Sequence, residues 1–167
     1  MELNEIVETT AECLRDGCTA DVVTEYALPA KKRFTRPVIA VGMNSGDGIS
    51  SGLAEYMGEK YDADSDTYSE VYGKRLELGI GISVYSPKDG EYGAEGCLDT
   101  VSEVIAALSG LPAGLKIRSF TCGETGFDTD TGMFLCRCEL KCVCFLYAER
   151  TEESEVLNFT LKGVPKI

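Results

Sequence analysis

Histidine and tryptophan are both missing from the 167 residues of this chain. Without histidine there is no imidazole general base, no Ser-His or Cys-His nucleophile pair, and none of the usual catalytic zinc sites. Carboxylate, lysine or tyrosine chemistry would need a convergent cluster, which the order of residues does not display. No catalytic residue, cofactor or metal site is therefore expected. A run of about 18 apolar residues is also lacking, which argues against a membrane span. The opening Met1-Glu2-Leu3-Asn4-Glu5 is acidic and amphipathic, unlike the basic-then-apolar start of a secretory signal, so a reducing cytoplasm is the expected compartment. Basic residues are scarce: 16 Lys+Arg stand against 28 Asp+Glu, a net charge of −12. That field repels nucleic-acid phosphates and acidic membranes, so neither is an expected partner.

What basic charge there is gathers at Lys31, Lys32, Arg33 and Arg36. The cluster reads as a solvated loop or as a docking spot for an acidic partner surface. Apolar residues make up 44% of the chain, an ordinary globular proportion. The length suits one domain, residues 1–167, large enough to bury a core without staples.

Eight cysteines are present: Cys13, Cys18, Cys97, Cys122, Cys136, Cys138, Cys142 and Cys144. The last four suggest zinc, but their spacing argues against it. Residues two apart on a strand are separated by about 6.6–6.8 Å, whereas one zinc ion holds each sulfur at about 2.3 Å. No Cys-x-x-Cys turn occurs. These cysteines read as small buried hydrophobes, and the same spacing disfavours a disulfide within either Cys-x-Cys pair.

Periodicity sets out the elements. Residues 2–16 read as a helix, with Leu3, Ile6, Val7 and Leu14 near one face. Asp21–Leu28 and Pro37–Val41 read as strands, residues 42–52 as a glycine-rich loop or irregular edge, and Leu53–Met57 as a short strand or helical turn. Residues 61–70 read as an exposed acidic loop. Asp62, Asp64 and Asp66 imitate the start of an EF-hand, but Thr67 and Gly73 stand where glycine and glutamate are needed. Gly42, Gly46 and Gly48 lack the Gly-Lys-Ser/Thr of a phosphate loop.

The clearest strand is Lys74–Tyr85, where Leu76, Leu78, Ile80, Ile82 and Val84 share one face. Gly79 and Gly81 lie on its other face, where glycine marks either close approach of another backbone or a weakly specified solvent face. Ser86–Gly90 is a turn. Cys97–Leu108 is an amphipathic helix with a stripe of Cys97, Leu98, Val101, Val104, Ile105 and Leu108. Leu115–Cys122 is a strand, 123–132 a loop, and Met133–Tyr147 a long strand with its cysteines inward. A last strand is expected near Leu157, Phe159 and Leu161. The fold class is α+β: a mostly antiparallel sheet, an N-terminal helix, and a central amphipathic helix packed on one face.

In layout, the stretch EVYGKRLELGIGISVYSPKDGEYGAEGCLDTVSEVIAAL (Glu70–Leu108) resembles the strand, turn and helix unit of bacteriophage and prophage tail-terminator or tail-completion proteins and their minor-tail relatives. The N-terminal helix, "PVIAV", "EYMGE" and "TGFDTDTGMF" agree with that order. The cysteine-rich strand is not a feature of that family. The resemblance implies a structural assembly protein. It would self-associate, as a hexameric ring in that family, cap the tail tube, and meet the tail tube protein and the head-tail connector. Such a protein would be found in the host bacterial cytoplasm during assembly and in the virion tail thereafter. Lys31, Lys32, Arg33, Arg36, Gly79 and Gly81 are the candidate partner contacts. The competing reading is a small cytosolic module that binds protein or metal.

Overall fold

The computed structural model describes residues 3–24, 34–50, 55–88, 91–112, 114–150 and 158–162, with backbone alone for residues 50, 146–150 and 158–162. The elements run α1 (Leu3–Gly17), β1 (Asp21–Val23), β2 (Val38–Ser50), β3 (Tyr56–Asp62), β4 (Thr67–Pro87), α2 (Gly93–Ala107), a short 3-10 turn (Leu108–Gly110), β5 (Lys116–Cys122), β6 (Gly126–Asp128), β7 (Met133–Arg150) and β8 (Asn158–Lys162). The two long strands form the spine. β4 and β7 pair antiparallel without interruption from Glu70↔Arg150 to Pro87↔Met133. At about 3.4 Å per residue, the 18 residues of β7 span roughly 60 Å.

Shorter strands line both edges of this spine in succession. β2 pairs with residues 74–85 of β4, and β3 takes over at residues 67–72. Along β7, β6 pairs with residues 133–135, β5 with 138–143 and β8 with 145–149. Only β1 joins its neighbour, β2, in parallel, so the described sheet is otherwise antiparallel.

The expected core forms where the two apolar stripes meet. Ile80, Ile82 and Val84 are fully buried, with Leu78 nearly so, facing Cys97, Val101 and Val104 of α2 and Ile6, Ala11 and Leu14 of α1. Each such branched side chain, once fully buried, stabilises by about 1.5–3 kcal/mol. From β7, Cys136, Cys138, Leu140, Cys142 and Cys144 enter the same core. The two helices are tied at their C-terminal ends. The Thr19 backbone N–H donates to Glu103 Oε2 at 2.7 Å, and Cys13 Sγ donates to the Ala107 carbonyl at 3.0 Å.

Several expected boundaries differ. Residues 42–50 are strand rather than loop: β2 continues through Gly42, Gly46 and Gly48, opposite Gly81, Leu78 and Leu76. Glycine has little strand preference of its own, but β4 offers an unbroken row of partners. Tyr56–Asp62 is likewise a strand, and the exposed 61–70 segment is the end of a hairpin. Its turn places the Asp64 N–H on Asp62 Oδ1 at 3.0 Å and Asp66 at φ 51°, a left-handed conformation that aspartate tolerates. Residues 126–128, expected in a loop, form β6. Ser86 and Pro87 belong to β4 rather than to a turn.

The helical stripes are narrower than expected. Leu98, Ile105 and Leu3 are exposed, because a helix lying on one sheet buries a limited arc. The tail strand appears as β8. The second half of the Asp21–Leu28 strand lies outside the described residues.

Candidate functional site

Both helices occupy one face of the sheet, and among the described residues no helix covers the other. At one end of that open face a small cluster of Ala40, Tyr85, Met133 and Leu135 is buried under Val23 and Phe34. The middle of the face is built around Gly79 and Gly81. Both are buried, and the space a side chain would take is already filled. A Cβ on Gly79 would lie 2.6 Å from Ser45 Oγ and 3.1 Å from Glu139 Oε1. A Cβ on Gly81 would lie 2.6 Å from Asn44 Oδ1. Close approach does occur at these glycines, but it is made by neighbouring side chains of the same chain.

Asn44 owes its place to a bulge. The β2–β4 register shifts between Met43 and Ser45, and an extra residue in a strand re-aims its side chain. A second bulge, between Ile117 and Ser119 of β5, does the same for Arg118.

Between these irregularities lies an open trough of about 380 Å³, with Gly79 in its lining and Arg75, Arg118, Lys141, Asp47 and Glu77 around it. Arg75 pairs with Glu77, and Lys141 lies 3.7 Å from Glu139. Arg75 Nε is buried without an acceptor. Arg118 makes no ion pair with another described residue. Three cations and two carboxylates line the trough and Glu139 stands beside Gly79 at its edge, so charge is balanced there, whereas the whole chain has 16 basic to 28 acidic residues.

The sequence marks the glycines and places Arg75 and Lys141 on the outward face. It gives no sign of Arg118, because nothing in the order of residues announces a bulge. Of the basic cluster, Lys31, Lys32 and Arg33 lie outside the described residues. Arg36 is exposed and engaged within the chain: its Nη2 donates to the Thr19 carbonyl at 3.0 Å and to Asp21 Oδ1 at 3.2 Å.

Cys97, Cys136, Cys138, Cys142 and Cys144 are buried in the core beneath the helices. Cys136 and Cys138 lean together until their sulfurs are 3.9 Å apart, closer than strand spacing suggests, and Cys97 Sγ reaches the Val84 carbonyl. Burial pushes the Cys97 and Cys142 thiols up to about 11 and raises Cys138 as well. They are therefore neutral at ordinary pH and poor nucleophiles. No group of three or more Cys, Asp or Glu among the described residues is placed to hold a metal ion. No described helix is long and apolar enough to cross a membrane.

The two helices thus cover one face of the sheet, and the mixed-charge trough lies on the other. No family model matches the chain, and no curated protein matches it in sequence. A solved structure shares the fold: the sheath/tube terminator of an extracellular contractile injection system, PVC, in its extended state. The likeness has a TM-score of 0.50 at 9% identity and extends over 100% of this chain and 64% of that one. This chain thus spans somewhat less than two thirds of its structural neighbour.

Proposed function

We propose that the chain is a structural tail-assembly protein that caps or completes a tail tube and joins it to a head-side connector. It works by contact alone, as a ring of its own copies, six in the resembling family, with no catalytic step. The observation that supports this reading most is the fold shared, over the full length of the chain, with a sheath/tube terminator. The long spine with one face left open suits a subunit that must meet neighbours on its far side. Lys31, Lys32, Arg33, Arg36, Gly79 and Gly81 are proposed near those contacts, the glycines by making room for Asn44, Ser45 and Glu139 on the open face.

The direct test adds the purified protein to polymerising tube protein from the neighbouring genes. Electron microscopy should show density at one tube end and arrested growth. Tubes that grow equally long with bare ends would overturn the reading. A stoichiometric metal in elemental analysis would then favour the small binding module.

A further inference from the structure

The hairpin joining β3 to β4 carries the strongest acid cluster at any described turn. Asp62, Asp64 and Asp66 are exposed, and no basic residue lies between Tyr61 and Tyr68. The turn is ordered by its own hydrogen bonds, the Asp64 N–H to Asp62 and the Tyr61 hydroxyl to Asp66 at 2.7 Å. The first of these bonds holds the Asp62 carboxyl below its usual range, so it is ionised. The Asp64 carboxylate has no partner among the described residues. Tyr61 and Tyr68 stack across the strands with ring centroids 5.0 Å apart, and they are 50% and 66% exposed. The tip thus combines carboxylates with aromatic faces, the two chemistries that guanidinium groups bind best.

We infer that this acidic tip of one copy seats in the Arg75, Arg118 and Lys141 trough of the next copy. The inference rests on the assembly reading above and names the contact that would carry it. Charge complementarity selects the occupant. Arg118 makes no ion pair with another described residue, and the tip supplies carboxylates. Geometry excludes the chain's own tip. From Thr67 to Gly79 is 12 residues along one continuous strand, roughly 40 Å at 3.4 Å per residue, and a hydrogen-bonded sheet cannot fold that span back on itself.

Tip and trough are different patches, so the contact is heterologous and closes into a ring or runs open according to the rotation it imposes. The groups that oppose docking are Asp47, Glu77 and Glu139, already balanced in part by Arg75 and Lys141. Long-range repulsion between chains of charge −12 is screened beyond about 8 Å at physiological salt, which leaves contact pairs to decide.

The test uses two full-length variants, Arg118→Gln/Lys141→Gln with the tip intact and Asp62→Asn/Asp64→Asn with the trough intact. Circular dichroism and thermal melting check that both are folded. In analytical ultracentrifugation the wild type should associate with rising concentration at 0.15 M salt. Each variant alone should need at least about tenfold more protein, the loss expected where charge fixes an interface. Mixed together, they should form a 1:1 dimer through the one tip and trough left whole, and stop there. If the wild type associates and both variants do so equally, or if the mixture gives no dimer, the tip-and-trough contact is wrong while the assembly reading stands. A wild type that stays monomeric in every condition overturns the contact, and tube capping then judges the assembly reading separately.

Discussion

Gly17 and Ala107 meet where the C-terminal ends of α1 and α2 cross, and a Cβ on Gly17 would lie 2.5 Å from the Ala107 Cβ and 3.1 Å from its Cα. Neither atom can swing aside, since both belong to the frame of α2. Gly17→Ala should therefore push the helices apart and strain the bonds from Thr19 to Glu103 and from Cys13 to Ala107. The expected loss is about 1–3 kcal/mol, as for other overpacked sites, read from urea unfolding. A stability equal to or above that of the wild type would show that the crossing relaxes freely.

Thiol labelling should separate the cysteines by position. Cys122 is exposed on β5, whereas Cys97, Cys136, Cys138, Cys142 and Cys144 are buried. An alkylating reagent at pH 8 should modify Cys122 first, with the buried five reacting only as the fold opens. Mass spectrometry of a time course checks this. Early modification of Cys138 or Cys142 would contradict the packing.

Alkali should weaken the fold. Cys97 and Cys142 have an ordinary value of 9.0 and stand at about 11 in the folded chain, chiefly through burial. A thiol whose folded value is raised keeps its proton while the unfolded chain loses its own. The stabilisation is complete below pH 9 and is lost as the pH rises towards 11. Urea midpoints should be level from pH 7 to 8.5 and fall from pH 9 upward. Cys142→Ala should fall less steeply, and an identical slope would remove the thiols as the cause.

The four members of the basic cluster should not behave alike. Arg36 is bound to Thr19 and Asp21, so Arg36→Glu sets like charges together and should cost about 0.5–1 kcal/mol, typical of exposed pairs. Lys31→Glu, Lys32→Glu and Arg33→Glu together should leave the urea midpoint within error and lower association, measured by light scattering. If the triple variant associates like the wild type, those three residues are not partner contacts.

What the sequence determined by itself is the set of faces. Alternation at Leu76–Val84 and Cys136–Leu146, and the three-to-four spacing from Cys97 to Leu108, each state directly which side of an element must be buried. From these follow the antiparallel spine, the central helix, the α+β class and the burial of Cys136, Cys138, Cys142 and Cys144. Whatever depended on a neighbour was decided by the tertiary structure. The glycines of β2 became strand because β4 lay alongside with free hydrogen-bonding groups. Leu98 and Ile105 stayed in solvent because a single sheet covers only part of a helix's circumference. The trough arose only when bulges in β2 and β5, two strands more than 60 residues apart, turned Asn44 and Arg118 onto one glycine-floored face. A bulge is a mismatch between two strands, so neither strand's sequence contains it.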